Sequence, residues 1–112
     1  MTAHRPIDPQ SSIEYLHKYA PEFAKAKAER MYLEEFRKSK KALLMQHHGE
    51  KAIGAQEREA YAHPEYIGVL AAIRVAVEKE ETLRWRLMAA QTAVEIWRSQ
   101  EASNRAMDRA TQ

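Results

Sequence analysis

The fold is decided by residues 64–104, PEYIGVLAAIRVAVEKEETLRWRLMAAQTAVEIWRSQEASN, which read as a single long helix. Apolar residues recur along it at alternating steps of three and four, and Glu80 fills one of these positions. This pattern predicts a coiled-coil-like packing seam with one charge inside it. We expect the seam to pack helices or subunits together through Val69, Ile73, Leu83, Leu87, Val94 and Trp97, with Ala76 and Ala90 between them.

The chain before this helix predicts two turns. Residues 55–63 look helical, and Pro64 would kink that helix or start the next one. Residues 49–54 (GEKAIG) read as the turn between two hairpin arms, with Gly49 as the C-cap of the preceding helix.

Upstream of that turn, the sequence predicts two helices separated at Pro21. The second should run from about Pro21 to Gln46 or His48. The first should be short, with Ser11 as its N-cap and Glu14 completing a capping box.

These elements predict an all-α fold, with few Gly and Pro residues to spare for turns. We expect a helical hairpin with a short N-terminal helix, a long C-terminal helix and coiled-coil-like packing. Its parts would be a flexible arm at residues 1–10, one helical domain at residues 11–104, and a frayed tail at residues 105–112.

Composition limits the class of protein. At 112 residues and 45% hydrophobic, with much of that share alanine, the core should be thin, so we expect a homo-oligomer. The absence of cysteine excludes disulfides and thiol catalysis. No signal peptide or membrane-spanning stretch is evident, which favours the cytoplasm, or the host cytoplasm if a phage encodes the chain.

Residues 25–41 carry the strongest functional signal, because seven basic residues face only three acids there. Helical spacing predicts a strip of charge and, close to it, two aromatic residues, Tyr32 and Phe36, which would stack bases if they face outward. Such a strip suits a phosphate backbone with unstacked bases, although long helices are also often rich in Lys and Glu simply to stay solvated. The basic strip comprises Lys27, Arg30, Arg37, Lys38, Lys40 and Lys41.

Signals for enzymatic chemistry are weak. His47 and His48 are adjacent, so on a helix their rings point about 100° apart and do not chelate a metal together. The glutamates fall where helix-surface ion pairs are expected, and no phosphate-binding loop or nucleophile motif occurs. We therefore expect no enzyme, no metal and no cofactor. Trp85, between Arg84 and Arg86, fits either base stacking or a helix contact.

Three stretches carry a family resemblance: residues 24–45 (AKAKAERMYLEEFRKSKKALLM), 57–62 (EREAYA) and 95–105 (EIWRSQEASNR). Together they resemble a group of small, uncharacterised helical bacteriophage proteins. More distantly, they are similar to the phage recombination mediators of the UvsY type. This chain is shorter than the mediators and shows no clear assembly helix beyond Asn104.

The resemblance implies a helical, ring-forming protein that binds single-stranded DNA, contacts a single-strand-binding protein and helps load a recombinase. Its DNA contacts would fall on Arg37, Lys38, Lys40 and Lys41, extended by Arg30 and Lys27. Our first interpretation is thus a phage recombination or replication accessory protein that binds single-stranded nucleic acid. The alternative is a helical assembly or adaptor protein that binds only other proteins through the seam.

Overall fold

A computed structural model describes residues 6–111, and these residues form three α-helices: α1 (Pro9–Gln46), α2 (Ile53–Ala62) and α3 (Pro64–Thr111). The predicted all-α class is confirmed, since residues 6–111 contain no strand, and the predicted helical hairpin is confirmed by the contacts between α1 and α3. Within the same range, no helix combines the length and the apolar character needed to cross a membrane. Residues 1–5 of the predicted arm and Gln112 of the predicted tail lie outside the described residues.

The first helix begins earlier than the sequence predicted, because Asp8 caps it instead of Ser11. The Asp8 carboxylate accepts hydrogen bonds from the backbone N–H of Gln10 (3.1 Å) and from the Ser11 hydroxyl (2.7 Å). Pro9 takes the first helical position, where a missing N–H costs nothing. The hydrogen bond from Ser11 is also the main reason why the pKa of Asp8 is lowered.

The predicted helix boundary at Pro21 does not occur, and α1 runs through this proline without interruption. Proline removes one backbone N–H and so frees the carbonyl of His17, one turn earlier. Both residues are exposed, so water can satisfy that carbonyl. The short N-terminal helix is therefore the first part of α1.

The two turns differ in how they end a helix. Gly49 lies three residues beyond Gln46 and has no positive φ, so the predicted C-cap at Gly49 is wrong. The N–H groups of His47, His48 and Gly49 instead bond to carbonyls three residues back. At the second turn, His63 is extended, as expected before Pro64, and α3 restarts there. The Nδ1 atom of His63 accepts the backbone N–H of Glu65 at 3.0 Å and so caps α3.

The chain divides into two compact units, to which α1 and α3 both contribute. The first, which we call the turn unit, comprises residues 24–81 and includes all of α2. Within it, Arg30 pairs with Glu80 and Lys40 with Glu65, so α1 and α3 run antiparallel. Its buried residues are Ala26, Leu44, Ala60, Tyr66, Ala76 and Glu80, and Met45 packs against the cluster of Leu44, Ala60 and Tyr66.

The second unit, which we call the terminal unit, is described for residues 6–23 and 82–111. Leu83 is the buried hydrophobic residue among them, and the other packed side chains are only half-buried. The rings of Tyr15 and Tyr19 lie 4.5 Å apart on α1, and Ile7 helps to line an apolar groove of about 370 Å³ on α3. The helix continues past Asn104 to Thr111, through the stretch predicted to fray.

The predicted seam residues all lie on the covered side of α3. In the turn unit Val69 and Ile73 are half-buried, and in the terminal unit the half-buried positions are Leu87, Val94 and Trp97. Glu80 occupies the charged position of the pattern and is 1% exposed. A carboxylate buried to this degree needs a partner, and that partner comes from the basic strip.

Candidate nucleic-acid interface

The basic strip does not form a separate outer face of α1. Arg30, Arg37, Lys40 and Lys41 are half-buried, whereas Lys27 and Lys38 are exposed. Several apolar side chains of α1 are instead exposed, namely Met31, Tyr32 and Leu43. Most of the strip is therefore turned toward the acidic side chains of α2 and α3 in the turn unit.

Arg30 is the most strongly held member of the strip. Its guanidinium donates from Nε and Nη2 to the two carboxylate oxygens of Glu80, and from Nη1 to Glu34 at 3.0 Å. The hydrogen bonds to Glu80 first, and to Glu34 second, raise the pKa of Arg30. A planar guanidinium suits this bidentate contact, so Arg30 satisfies the buried carboxylate. All three of its nitrogen atoms donate within the chain, which leaves few N–H groups for a ligand.

Two lysines of the strip also pair with acids from other helices. The Nζ atom of Lys40 lies 2.9 Å from Glu65 on α3, and that of Lys41 lies 3.5 Å from Glu57 on α2. The contact with Lys40 lowers the pKa of Glu65. Lys40 therefore links α1 to α3, and Lys41 links α1 to α2.

Lys38 differs, because its partner Glu35 lies on the same helix. The Nζ–Oε1 distance is 3.3 Å, and both side chains are well exposed. Pairs of this kind hold a side chain only weakly in water, so Lys38 remains available to a stronger anion. Lys27 and Arg37 form no ion pair with any residue in the range 6–111.

Three members of the strip, Arg37, Lys38 and Lys41, line an open groove of about 560 Å³ in the turn unit. Lys41 places its ammonium 4.6 Å from the centre of the Tyr61 ring, and the hydrogen bond with Tyr61 is the main cause of its raised pKa. Tyr61 in turn packs edge-on against Tyr66, with 5.3 Å between ring centres. The groove is lined by Arg37, Lys38, Lys41, Ala42, Met45, Tyr61 and Tyr66.

The two aromatic residues predicted to stack bases lie elsewhere on α1. Tyr32 and Phe36 stack on each other, with ring centres 6.0 Å apart and planes at 13°. Tyr32 is 62% exposed, while Phe36 is half-buried. Neither lines the groove, so the structure does not bring them together with Arg37, Lys38 and Lys41.

Sequence reasoning missed Tyr61 as a candidate binding residue. Core packing is the default expectation for a tyrosine on a helix, yet this side chain is 47% exposed. One signal was present, because Glu57 and Tyr61 are four residues apart and share a helix face. What the sequence did not show was that this face lies opposite Lys41.

The histidine and acidic residues form no metal site in the part of the chain that the structure describes. Residues 6–111 contain no group of three or more His, Asp or Glu side chains placed to hold an ion. His47 and His48 belong to the turn after α1, where their N–H groups bond to carbonyls at the end of that helix.

Several large apolar side chains on α3 are also exposed. Ile67, Leu70, Val75 and Val77 belong to the turn unit, and Trp85, Met88 and Ile96 belong to the terminal unit. Where such side chains form a contiguous patch, the patch is typical of a surface that binds another protein.

No protein-family model, curated protein or solved structure matches this chain.

Proposed function

We propose that this protein binds single-stranded nucleic acid, DNA in the first instance, as an accessory in phage recombination or replication. The observation that carries the proposal is the groove in the turn unit. There three cations, Arg37, Lys38 and Lys41, line the same groove as the half-exposed ring of Tyr61. Cations that follow a backbone beside an aromatic ring are the usual elements of a site that binds single strands without sequence preference.

The groove holds three of the six cations of the strip, and this number predicts how steeply binding depends on salt. Three neutralised phosphates on a single strand predict that the logarithm of affinity falls with the logarithm of salt concentration with a slope of about −2. A strip in which all six cations contacted phosphates would give a slope of about −4. The ion pairs of Arg30 and Lys40 favour the smaller value.

The wider role as a recombination accessory comes from the resemblance to the phage mediators. A recombinase and a single-strand-binding protein would then be the protein partners. The apolar side chains on α3 offer a surface for such a contact or for self-association.

The test is fluorescence anisotropy with a labelled single-stranded oligonucleotide at several salt concentrations, beside a duplex control. The variant Arg37→Ala/Lys38→Ala should lose about tenfold in affinity at low salt and show a shallower salt slope. The matched control is Arg74→Ala/Lys79→Ala, which removes the same charges from exposed positions of α3 outside the groove. Equal losses in both variants would show that net charge, and not the groove, governs binding.

The second candidate function is a helical adaptor that binds only proteins. It is favoured by the ion pairs, since Arg30, Lys38, Lys40 and Lys41 all lie within 3.5 Å of a carboxylate of their own chain. No binding of single strands at low salt would reject the first proposal and leave this one. Sedimentation velocity of the wild type and of Trp85→Gln would then test whether the apolar surface of α3 joins subunits.

A further inference from the structure

The ring of Tyr61 lines the groove and is held in place by its neighbours. It lies near the end of α2, and its ring meets the edge of Tyr66 at an angle of 73°. Tyr66 is 6% exposed and belongs to the cluster with Leu44 and Ala60. A half-exposed ring that rests on a buried ring loses little conformational freedom when a ligand binds it.

The other exposed aromatic residue of the turn unit has a different setting. The Tyr32 ring stacks on that of Phe36 from its own helix, and neither residue lines the groove. Tyr61, in contrast, shares the groove with Arg37, Lys38 and Lys41. Of these two exposed rings, that of Tyr61 is the one that faces the same space as a group of cations.

We propose that Tyr61 stacks a nucleobase of the bound strand while Arg37 and Lys38 hold the flanking phosphates. This inference rests on the proposed function and adds to it the means by which the base is bound. The groove volume of about 560 Å³ lies within the usual range for sites that take a small ligand. Lys41 holds the ring, since its ammonium lies 4.6 Å from the ring centre, and it contributes the third phosphate contact.

A stacked base gives the site a preference that phosphate contacts alone do not give. Arg37 and Lys38 would bind a strand with or without bases, because they meet only its backbone. A ring that stacks on a base contributes roughly tenfold in affinity per base, and it accepts any base. The expected property is thus a preference for strands with bases that does not depend on which bases they carry.

The experiment compares a labelled oligothymidylate with an abasic strand of the same length, using the full chain and anisotropy at one low salt concentration. The wild type should bind the oligothymidylate about tenfold more tightly than the abasic strand. Tyr61→Leu should bind both strands equally, and Tyr61→Phe should keep the preference because it keeps the ring. Tyr32→Leu is the matched control and should behave as the wild type.

Each outcome separates this inference from the function on which it rests. Equal binding of both strands by the wild type would reject stacking and leave the nucleic-acid function in place. Absence of binding to either strand would reject the function itself. Loss of the preference in Tyr32→Leu, with Tyr61→Leu unchanged, would move the stacking residue to α1 and overturn the proposal.

A photocrosslink on the wild type makes the test independent of how the variants fold. A strand that carries 5-iododeoxyuridine should crosslink to Tyr61, and mass spectrometry of the digested complex identifies the residue. A crosslink mapped to a residue outside the groove would contradict the proposal.

Discussion

The turn unit and the terminal unit draw on the same two long helices, yet they bury their side chains differently. Six of the residues with less than a tenth of their surface exposed belong to the turn unit, and Leu83 alone belongs to the terminal unit in the described range 6–111. The turn unit also contains α2, whose Ala60 is fully buried. Two helices cover only one side of each other, so the third helix is what creates an enclosed core.

This difference predicts that a core truncation costs more in the turn unit. Leu44→Ala removes a side chain that is 2% exposed and should lower the free energy of unfolding by about 3 kcal/mol. Leu87→Ala removes the same atoms from a half-buried position in the terminal unit and should cost about 1 kcal/mol. Urea titrations followed by circular dichroism measure both values. Equal losses would show that the two units are packed to the same degree.

The second prediction concerns the polar part of the turn-unit core. Arg30→Met removes the guanidinium that satisfies the buried carboxylate of Glu80, so Tm should fall on the order of 10 °C. The double variant Arg30→Met/Glu80→Leu replaces both charges by apolar groups and should regain most of that loss. Thermal melts measure the Tm of each variant. A double variant no more stable than the single variant would mean that the core needs other contacts of Glu80.

The third prediction tests whether a phosphate competes with an acid of the chain for Lys41. Glu57→Gln removes the carboxylate 3.5 Å from Lys41 and should tighten single-strand binding about two- to threefold. Glu59→Gln is the matched control on the same helix, because Glu59 pairs with Lys51 outside the groove. Anisotropy titrations compare the two. The same gain in both variants would indicate that only the total charge matters.

The smallest effect is a dependence of stability on pH through Glu65. The hydrogen bond and charge of Lys40 lower the pKa of Glu65 below its ordinary value of 4.5 in the folded chain, so the folded state holds that proton less tightly than the unfolded state. The contribution is present above pH 4.5 and is lost as the pH falls through the lower, folded pKa. Lys40→Met should remove this contribution. Thermal melts of both chains from pH 6 to pH 3 should therefore converge at the acidic end. Parallel curves would contradict the role of this pair.

Local patterns in the sequence predicted the features that depend on local interactions. The apolar residues from Val69 to Trp97 follow steps of three and four, which place them on one face of one helix. This placement depends only on the geometry of that helix, so the sequence predicts it. The restart at Pro64 follows equally from the geometry of proline and of the residue before it. The all-α class and the hairpin could be predicted for these reasons.

Features that depend on distant residues could not be predicted. The strip on α1 was expected to be a separate charged face, but Arg30 lies opposite Glu80 and Lys41 opposite Glu57, and only the alignment of the helices decides this. The alignment of the helices also places Tyr61 beside Lys41, and this placement made Tyr61 a candidate binding residue. Pro21 misled the prediction because its exposed position, where a helix tolerates the lost hydrogen bond, is visible only in the folded chain.

The cluster of Leu44, Ala60 and Tyr66 has a consequence for the order in which the chain folds. These residues lie on either side of the turn after α1, so bringing them together closes short loops of chain. The pair of Arg30 and Glu80 closes a loop of 50 residues, which costs more entropy when it forms first. Folding should therefore start at the turn and extend along α1 and α3, and the groove at Tyr61 would form among the first tertiary features of the chain.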